Sequence, residues 1–516
     1  MNKLNEILLE ELPDLKKHGE AFLNKELSKL NFKRYSGAFG VYATRSQKSF
    51  ILRFRLPGGV ISKEELQFIY DMALKYNLGG IHLTTRQCIQ LHNLSLDAIL
   101  DIIEQGILKG LYTRGSGGNY PRNVSMSPLT GVTPGEAFDV LPFAIAANVY
   151  LLKSIYAYHL PRKFKVAFSN TPTADAHSTI QDLGFIAMSY DHNPFFKVYA
   201  GGGLGKDPEP SLVIPISLPP SDVLYAIEAM LNLFIKEGNY EDHNKARVRY
   251  IVNKLGKAQF ITRFLDELEI AKQSKELSLP FTPNFEVYED WSTTLIHPRI
   301  FKQKQINLYS MYFQPLGGQL TLKLLKQLLQ YLDYLPKVRL RLTMTEGFYM
   351  INLDEATALK LLELTDGLGG ETKLAQSVSC IGVPTCQMGI LNSQELLDNI
   401  ISYFNHKKYK KDILPRVYIS GCPNSCGVHQ IGSIGFAGKK KRIENVITDC
   451  YTLYIGGSFH ADHVRLGRPL GDIPSPLIPE FLYKLTQQLE SLNINFDTWF
   501  ETDQDSLTAF IQPYLV

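Results

Sequence analysis

Cysteine is scarce in this chain: there are six in 516 residues, too few for a scaffold held by disulfides. An excess of charge is also missing. The formal net charge is +3, which leaves no global footprint for nucleic acid. No apolar run is long enough to span a bilayer; the longest, residues 140–152, carries Pro142 and Asn148 and is too short. Residues 1–20 alternate Leu and Ile with Glu, Asp and Lys. They read as an amphipathic surface helix, without the apolar stretch of a secretory signal. Nucleotide fingerprints are missing too. Gly201-Gly202-Gly203-Leu204-Gly205 lacks both a Gly-Lys-Ser/Thr ending and Rossmann spacing, and reads as a turn between elements. These gaps exclude nucleic-acid and membrane partners from the expectation and place the chain in the cytoplasm.

What remains is an ordinary globular composition, 45% hydrophobic and 20% charged. At this length two to four domains are expected. Four of the six cysteines fall in one stretch. Cys380-Ile381-Gly382-Val383-Pro384-Thr385-Cys386 is followed, about 35 residues on, by Gly421-Cys422-Pro423-Asn424-Ser425-Cys426-Gly427. Gly and Pro around each pair let the backbone turn and bring the sulfurs together. Four convergent thiolates can hold an iron–sulfur cluster or a structural zinc. The C-x5-C spacing suits zinc poorly, though unligated thiols also remain open. Cys88 and Cys450 lie outside both motifs and read as packed thiols.

The chain also repeats itself. Residues 50–60 read as a strand ending in Pro57-Gly58-Gly59; Ser62 opens a capping box before a helix through Tyr76. A strand over 81–94, broken near Arg86, follows. Gly317-Gly318, Leu342-Thr343 and Asn352-Leu353 match Gly58-Gly59, Leu83-Thr84 and Asn93-Leu94 at a constant offset of 259. A second pair of segments matches at an offset of 251: Val166-Ala167-Phe168-Ser169 with Val417-Tyr418-Ile419-Ser420, and Gly184-Phe185 with Gly435-Phe436. Constant register over whole units argues for two related halves, of which only the second carries the four cysteines. Leu279-Pro280-Phe281-Thr282-Pro283, the centre of roughly 270–300, reads as the linker between them.

Positive charge occurs in unusual contexts in the first half. Thr84-Thr85-Arg86-Gln87 lies between strand pieces, and residues 113–123 form a Gly-rich loop holding Arg114, Asn119, Arg122 and Asn123. Arg162-Lys163-Phe164-Lys165 leads into a strand, where alternation puts Lys163 and Lys165 on one face. That face is costly to bury unless an anion sits against it; a solvated strand edge is the other reading. Arg247 and Arg249 read as surface or interdomain charges on a helix, and Lys439-Lys440-Lys441-Arg442 as a solvated turn.

The paired cysteine motifs, together with T-T-R-Q, N-Y-P-R-N and R-K-F-K in that order, resemble the sirohaem-dependent sulfite and nitrite reductases. The resemblance covers most of the chain. It implies an α+β (mixed α/β) fold, internally duplicated with a pseudo-two-fold arrangement: ferredoxin-like half-domains in 1–110 and 300–368, and two larger α/β cofactor-binding domains. Those domains would be 111–299, with the linker, and 369–516. It implies a [4Fe–4S] cluster on Cys380, Cys386, Cys422 and Cys426, with the Cys426 thiolate shared with the sirohaem iron. It further implies that Arg86, Arg122, Lys163 and Lys165 bind the substrate oxyanion, and that Arg114, Asn119, Asn123 and Arg162 meet sirohaem. The reaction so implied is the six-electron reduction of sulfite to sulfide, or of nitrite to ammonia, with electrons from ferredoxin or a similar carrier. Lys165 is sulfite-like, since ferredoxin-dependent nitrite reductases typically carry Asn there; Pro384-Thr385 also leans to sulfite, and Ile381-Gly382 to nitrite. An iron–sulfur carrier or redox sensor is the non-catalytic alternative, and a zinc-stabilised anion-binding protein is another.

Overall fold

The computed structural model describes residues 3–282 and 290–516; the end of the expected linker, from Pro283, lies outside them. Four five-stranded sheets organise these residues. The first runs Val41–Ala43, Phe50–Arg53, Ile89–Leu94, Gly80–Leu83 and Gln319–Thr321. Its counterpart runs Ile300–Lys302, Tyr309–Phe313, Phe348–Leu353, Arg339–Leu342 and Val60–Ile61. Each of these sheets therefore takes its last strand from the other half of the chain. Leu320 pairs with Ile81, and Ile61 pairs with Leu340. Both sheets and the helices Lys63–Lys75 and Leu322–Leu332 share one hydrophobic core.

The offset of 259 holds in the backbone. Gly58 and Gly59 have φ of 61° and 71°, and Gly317 and Gly318 have 56° and 72°. A β-carbon at Gly59 would meet the Leu342 carbonyl at 2.8 Å, and one at Gly318 the Leu83 carbonyl at 2.7 Å. The doubled glycine thus lets each crossing strand pass against the other half. Gln87 and Glu346, also 259 apart, share a left-handed φ of 53° and 63°. The Ser62 capping box forms, with Glu65 as its reciprocal partner.

The other two sheets have identical topology. Ser125–Met126, Val166–Ser169 and Leu183–Tyr190 run parallel, then Asn193–Ala200 and Leu212–Leu218 turn back antiparallel. Val378–Ser379, Val417–Ser420 and Ile434–Ile443 run parallel, followed by antiparallel Val446–Ile455 and Arg468–Pro474. The middle strand of each parallel trio, Val166–Ser169 and Val417–Ser420, is wholly buried, as expected where both faces of parallel strands are covered. Gly184 and Gly435 occupy matching close contacts, against the carbonyls of Ser178 and His429. The fold is thus mixed α+β and duplicated, as the motif resemblance implied.

Two readings need correction. The amphipathic N-terminal segment is two helices, Lys3–Glu10 and Leu12–Leu23, because Pro13 starts a new helix rather than continuing the first. Of the two readings for Arg247 and Arg249, the surface one is excluded: they are 7% and 4% exposed. Arg247 precedes the helix Val248–Leu255 in extended backbone, which turns its guanidinium inward onto the fully buried Asp182, at 2.8 Å. No helix among the described residues is long and apolar enough to cross a membrane.

Candidate active site

The four cysteines sit on loops that follow the parallel strands of the last sheet. Cys380 continues Val378–Ser379 and donates its backbone N–H to the Ile419 carbonyl at 3.1 Å. Its Sγ accepts from the Gly421 N–H at 3.2 Å and lies 3.3 Å from Ser393 Oγ. Gly382 has φ 51°, and a β-carbon there would meet Ser393 Oγ at 2.5 Å, so the first loop folds tightly against the helix Ser393–His406. Burial, reinforced by the neighbouring Cys426, pushes the Cys380 thiol up to about 12. The Cys386 thiol is raised by burial and again by Cys426. Burial pushes Cys422 up to about 11, with Cys426 and Cys386 adding to it. All six cysteines are free, and Cys426 is the exposed one of the four.

Cys426 therefore lies in the electrostatic reach of the other three, and Cys386 in that of Cys422. Among the described residues, no three His, Cys, Asp or Glu side chains close tightly enough to hold a single metal ion. As neutral thiols Cys380, Cys386 and Cys422 are held above their usual range, so a bound cation would be what makes thiolates of them.

Across from the thiols lies a chamber of cations. Arg86, Arg122, Arg162, Lys163, Lys165, Arg247 and Arg249 act on one another electrostatically. Asp182 is the carboxylate among them: it accepts from Arg247 through both oxygens and from the Lys165 backbone N–H at 2.9 Å. Burial, with Lys165, Arg247, Arg122 and Arg162 adding to it, pushes Lys163 well below the lysine range. Burial, then Arg86 and Arg247, pushes Lys165 to about 7. Arg162 and Arg86 are each lowered to about 10, chiefly by burial. Neither lysine has an ion-pair partner among the described residues. Arg122 Nε and Arg249 Nε and Nη1 are buried without an acceptor. So many desolvated cations around one carboxylate are expensive unless a polyanion is there to meet them.

The two regions touch. Thr85 Oγ1, in the turn before Arg86, donates to the Cys426 carbonyl at 2.8 Å. The backbone of Gly205 exchanges two hydrogen bonds with the Gln430 side chain, at 2.8 and 2.9 Å. The glycine run 201–205 is thus a close-approach loop: a β-carbon at Gly203 would meet Arg249 Nη1 at 2.8 Å.

Not every expected residue faces the chamber with free donors. Arg86 spends its guanidinium on the Asn123 carbonyl, Ser125 Oγ and the Val166 carbonyl. Asn123 donates to the carbonyls of Leu56, Arg86 and Gln87, leaving its Oδ1 buried and unpartnered. Arg122 donates to the carbonyls of Ser116 and Gly118. Arg114 points to Glu11, 3.2 Å away, inside a cage of Phe39, Tyr120 and Tyr156 rings; its Nη1 remains without a partner. Asn119 is half-buried in the same glycine-rich loop. Sequence reasoning missed Asp182, Arg247 and Arg249.

Two family models match the first half. Residues 42–105 match the nitrite/sulfite reductase ferredoxin-like half domain, and 117–272 the nitrite and sulphite reductase 4Fe-4S domain. Over these two stretches the chain matches the nitrite and sulfite reductase family. The second of these matches falls on residues without a cysteine; the four paired cysteines lie in the other half of the duplication. Among relatives, ferredoxin–nitrite reductase of Synechococcus elongatus is 26% identical over 84% of this chain and 85% of its own length. The sulfite reductase [NADPH] hemoprotein beta-component of Bacillus licheniformis is 26% identical over 81% and 77%. Sulfite reductase [ferredoxin] of Mycobacterium tuberculosis is 26% identical over 82% and 74%. The solved structure of the Mycobacterium tuberculosis NirA protein superposes with a TM-score of 0.78 at 21% identity, over 98% and 97% of the two chains, and so shares the fold. Relatives in this family that reduce either anion are equally similar to the chain.

Proposed function

We propose that this chain is a sirohaem- and [4Fe–4S]-dependent reductase that converts sulfite to sulfide by six-electron reduction, with nitrite as a second substrate. The observation that carries the reading is the cation chamber holding Lys163 and Lys165, joined through Thr85 to the loop of Cys426. The donor sets fit both groups: three thiols gathered around that of Cys426 for the cluster, and buried guanidinium groups for the many carboxylates of sirohaem. Cys380, Cys386, Cys422 and Cys426 would hold the cluster; Arg162, Arg247 and Arg249, with Asn119, would meet carboxylates of the macrocycle. When bound, the pair supplies electrons one at a time to an iron that takes the substrate.

The chain's own residues then do three things. Lys163, Lys165 and Arg122 neutralise the oxyanion and hold its oxygens, and fixed charges of this kind need no reorganisation as oxygen leaves. Lys165, brought to about 7, can release its Nζ proton to a departing oxygen and take another near neutral pH. Arg86, saturated by backbone and Ser125, acts on the site as a fixed positive charge and braces the loop of Asn123.

Electrons come from a separate carrier of the ferredoxin type. Lys29, Lys33 and Arg45 flank the loop of Cys386: Arg45 donates to the Gly389 carbonyl at 2.7 Å, Lys29 lies 3.5 Å from that of Gln387, and Lys33 acts on Cys386 electrostatically. Met388 and Ile390 are exposed there, which suits an acidic protein with an apolar contact. The run 439–442 is less suited, since Lys439 and Lys441 pair with Asp472 and Lys440 with Asp449.

The test is the absorption spectrum of anaerobically purified protein with acid–acetone extraction of the pigment, followed by kinetics on both anions. Sharp haem bands and a cluster spectrum are expected; a colourless protein, or a brown one without extractable pigment, overturns the reading. Lys165→Asn is expected to lower kcat/KM for sulfite more than for nitrite. Equal losses, or a wild type that prefers nitrite severalfold, would reverse the substrate assignment.

A further inference from the structure

His177 is 1% exposed, and neither ring nitrogen has a hydrogen-bond partner. It lies in the loop after Val166–Ser169, with left-handed backbone at φ 59°, and its ring packs on that of Phe459 from the other half at 4.7 Å. The loop is braced toward the chamber: Arg86 Nη1 donates to Ser125 Oγ at 3.0 Å, and Ser125 Oγ to the Ala176 carbonyl at 3.3 Å. Thr179 Oγ1 closes the far side on the Phe459 carbonyl at 2.7 Å. Arg86, Lys165 and Arg416 are the cations acting on the imidazole, and with burial they hold it neutral.

The duplication supplies a control for what this position needs. At the offset of 251, His177 corresponds to Val428, which has the same left-handed backbone at φ 47°; Ala174 and Ser425 match likewise, at 52° and 55°. The first-half loop is therefore the counterpart of the loop bearing Cys422 and Cys426, and that turn closes equally well on valine. An imidazole with both nitrogens buried and idle is a cost the backbone does not demand. Idle polar atoms and left-handed non-glycine backbone gather where a ligand is met. A neutral imidazole offers one N–H donor and one acceptor, and the cations beside it attract anionic oxygen.

We infer that His177 is a further residue of the anion chamber, donating a ring N–H to an anionic oxygen held beside Arg86 and Lys165. The inference rests on the function proposed above. The oxygen belongs either to the small oxyanion or to a carboxylate of the macrocycle, and two measurements on His177→Val and His177→Gln separate these sources. The first is sirohaem content per cluster after purification; the second is the Kd for nitrite and for sulfite from perturbation of the haem bands. Thermal midpoints of both variants report folding, and the valine of the second half predicts a midpoint close to wild type for His177→Val. If the oxygen is the substrate's, sirohaem content stays at the wild-type level while both Kd values rise about tenfold or more. If it is the macrocycle's, sirohaem content falls instead. His177→Gln, which restores an N–H donor, recovers part of either loss. A His177→Val protein with full sirohaem content and unchanged Kd values overturns the inference, as does a loss that His177→Gln shares in full while folding normally. A wild type without haem bands would instead remove the function on which it rests.

Discussion

Replacing Lys165 by Met tests the anion chamber directly, because the structure sets the pH at which the change matters. Burial, Arg86, Arg247 and Arg122 push the Lys165 ammonium down, Asp182 pulls it up, and the balance falls at about 7; Lys163, two residues before it, is lowered in turn by it. At pH 6 about nine in ten Lys165 side chains carry the proton, and at pH 8 about one in ten. A charge-assisted hydrogen bond to an oxyanion contributes about 1.5–3 kcal/mol, or roughly 10- to 150-fold in Kd. Lys165→Met is therefore expected to weaken nitrite binding about tenfold or more at pH 6. At pH 9, where the lysine is neutral in any case, the loss shrinks to about twofold. Carboxylates bound in the chamber stabilise the ammonium, so the break in the wild-type profile falls at or above about 7. Nitrite is the better probe because it stays a monoanion throughout, whereas sulfite titrates near neutrality. The assay is optical titration of the haem bands from pH 6 to 9.5. The same shift gives a stability slope. Between the folded value near 7 and the unfolded value near 10.4, only the unfolded chain holds the proton. Protein stripped of its cofactors should thus gain stability as pH rises through that window, by at most about 1.4 kcal/mol per unit. A wild-type Kd independent of pH, or a Met variant with equal losses at pH 6 and 9, would refute the reasoning.

Three further outcomes are expected. Cys426→Ser should disturb cluster and haem bands together; unaltered haem bands would remove the shared thiolate while leaving the cluster. Arg247→Met strands the buried Asp182 carboxylate and should cost about 3–5 kcal/mol in denaturant unfolding. The double variant with Asp182→Asn should recover most of that, and a single variant within about 1 kcal/mol of wild type would show that the pair is not what holds this corner. Lys33→Glu should slow reduction by an acidic carrier severalfold and flatten its dependence on ionic strength, while turnover with a viologen donor stays unchanged; equal effects on both donors would place the docking surface elsewhere.

Much of this architecture is legible in the chain because glycine and short-range spacing record it. Gly58-Gly59 and Gly317-Gly318 all take positive φ, and Gly59 and Gly318 also cross another backbone, so the repeat survives there when most side chains have diverged. The cysteine spacing survives for a similar reason, since thiols cannot be exchanged for other groups. What is not legible depends on distant pairing. Val60–Ile61 is only two residues long, and nothing local says that its partner is Arg339–Leu342. The burial of Arg247 and Arg249 depends on Asp182, some 65 residues earlier, and Arg114 is drawn to Glu11 by a helix break at Pro13 that periodicity alone blurs.

The exchanged strands carry a consequence for synthesis on the ribosome. The strand Gly80–Leu83 meets its partner Gln319–Thr321 only after about 240 more residues have been made, which at ordinary elongation rates is roughly 10–50 s. Until then the nascent first sheet presents a bare hydrogen-bonding edge, with Ile81 and Leu83 beside it, to every neighbouring chain on the same message. Production yield should therefore depend on translation speed and on chaperone occupancy across the region between the halves. A premature stop there leaves a sheet that cannot close from its own residues.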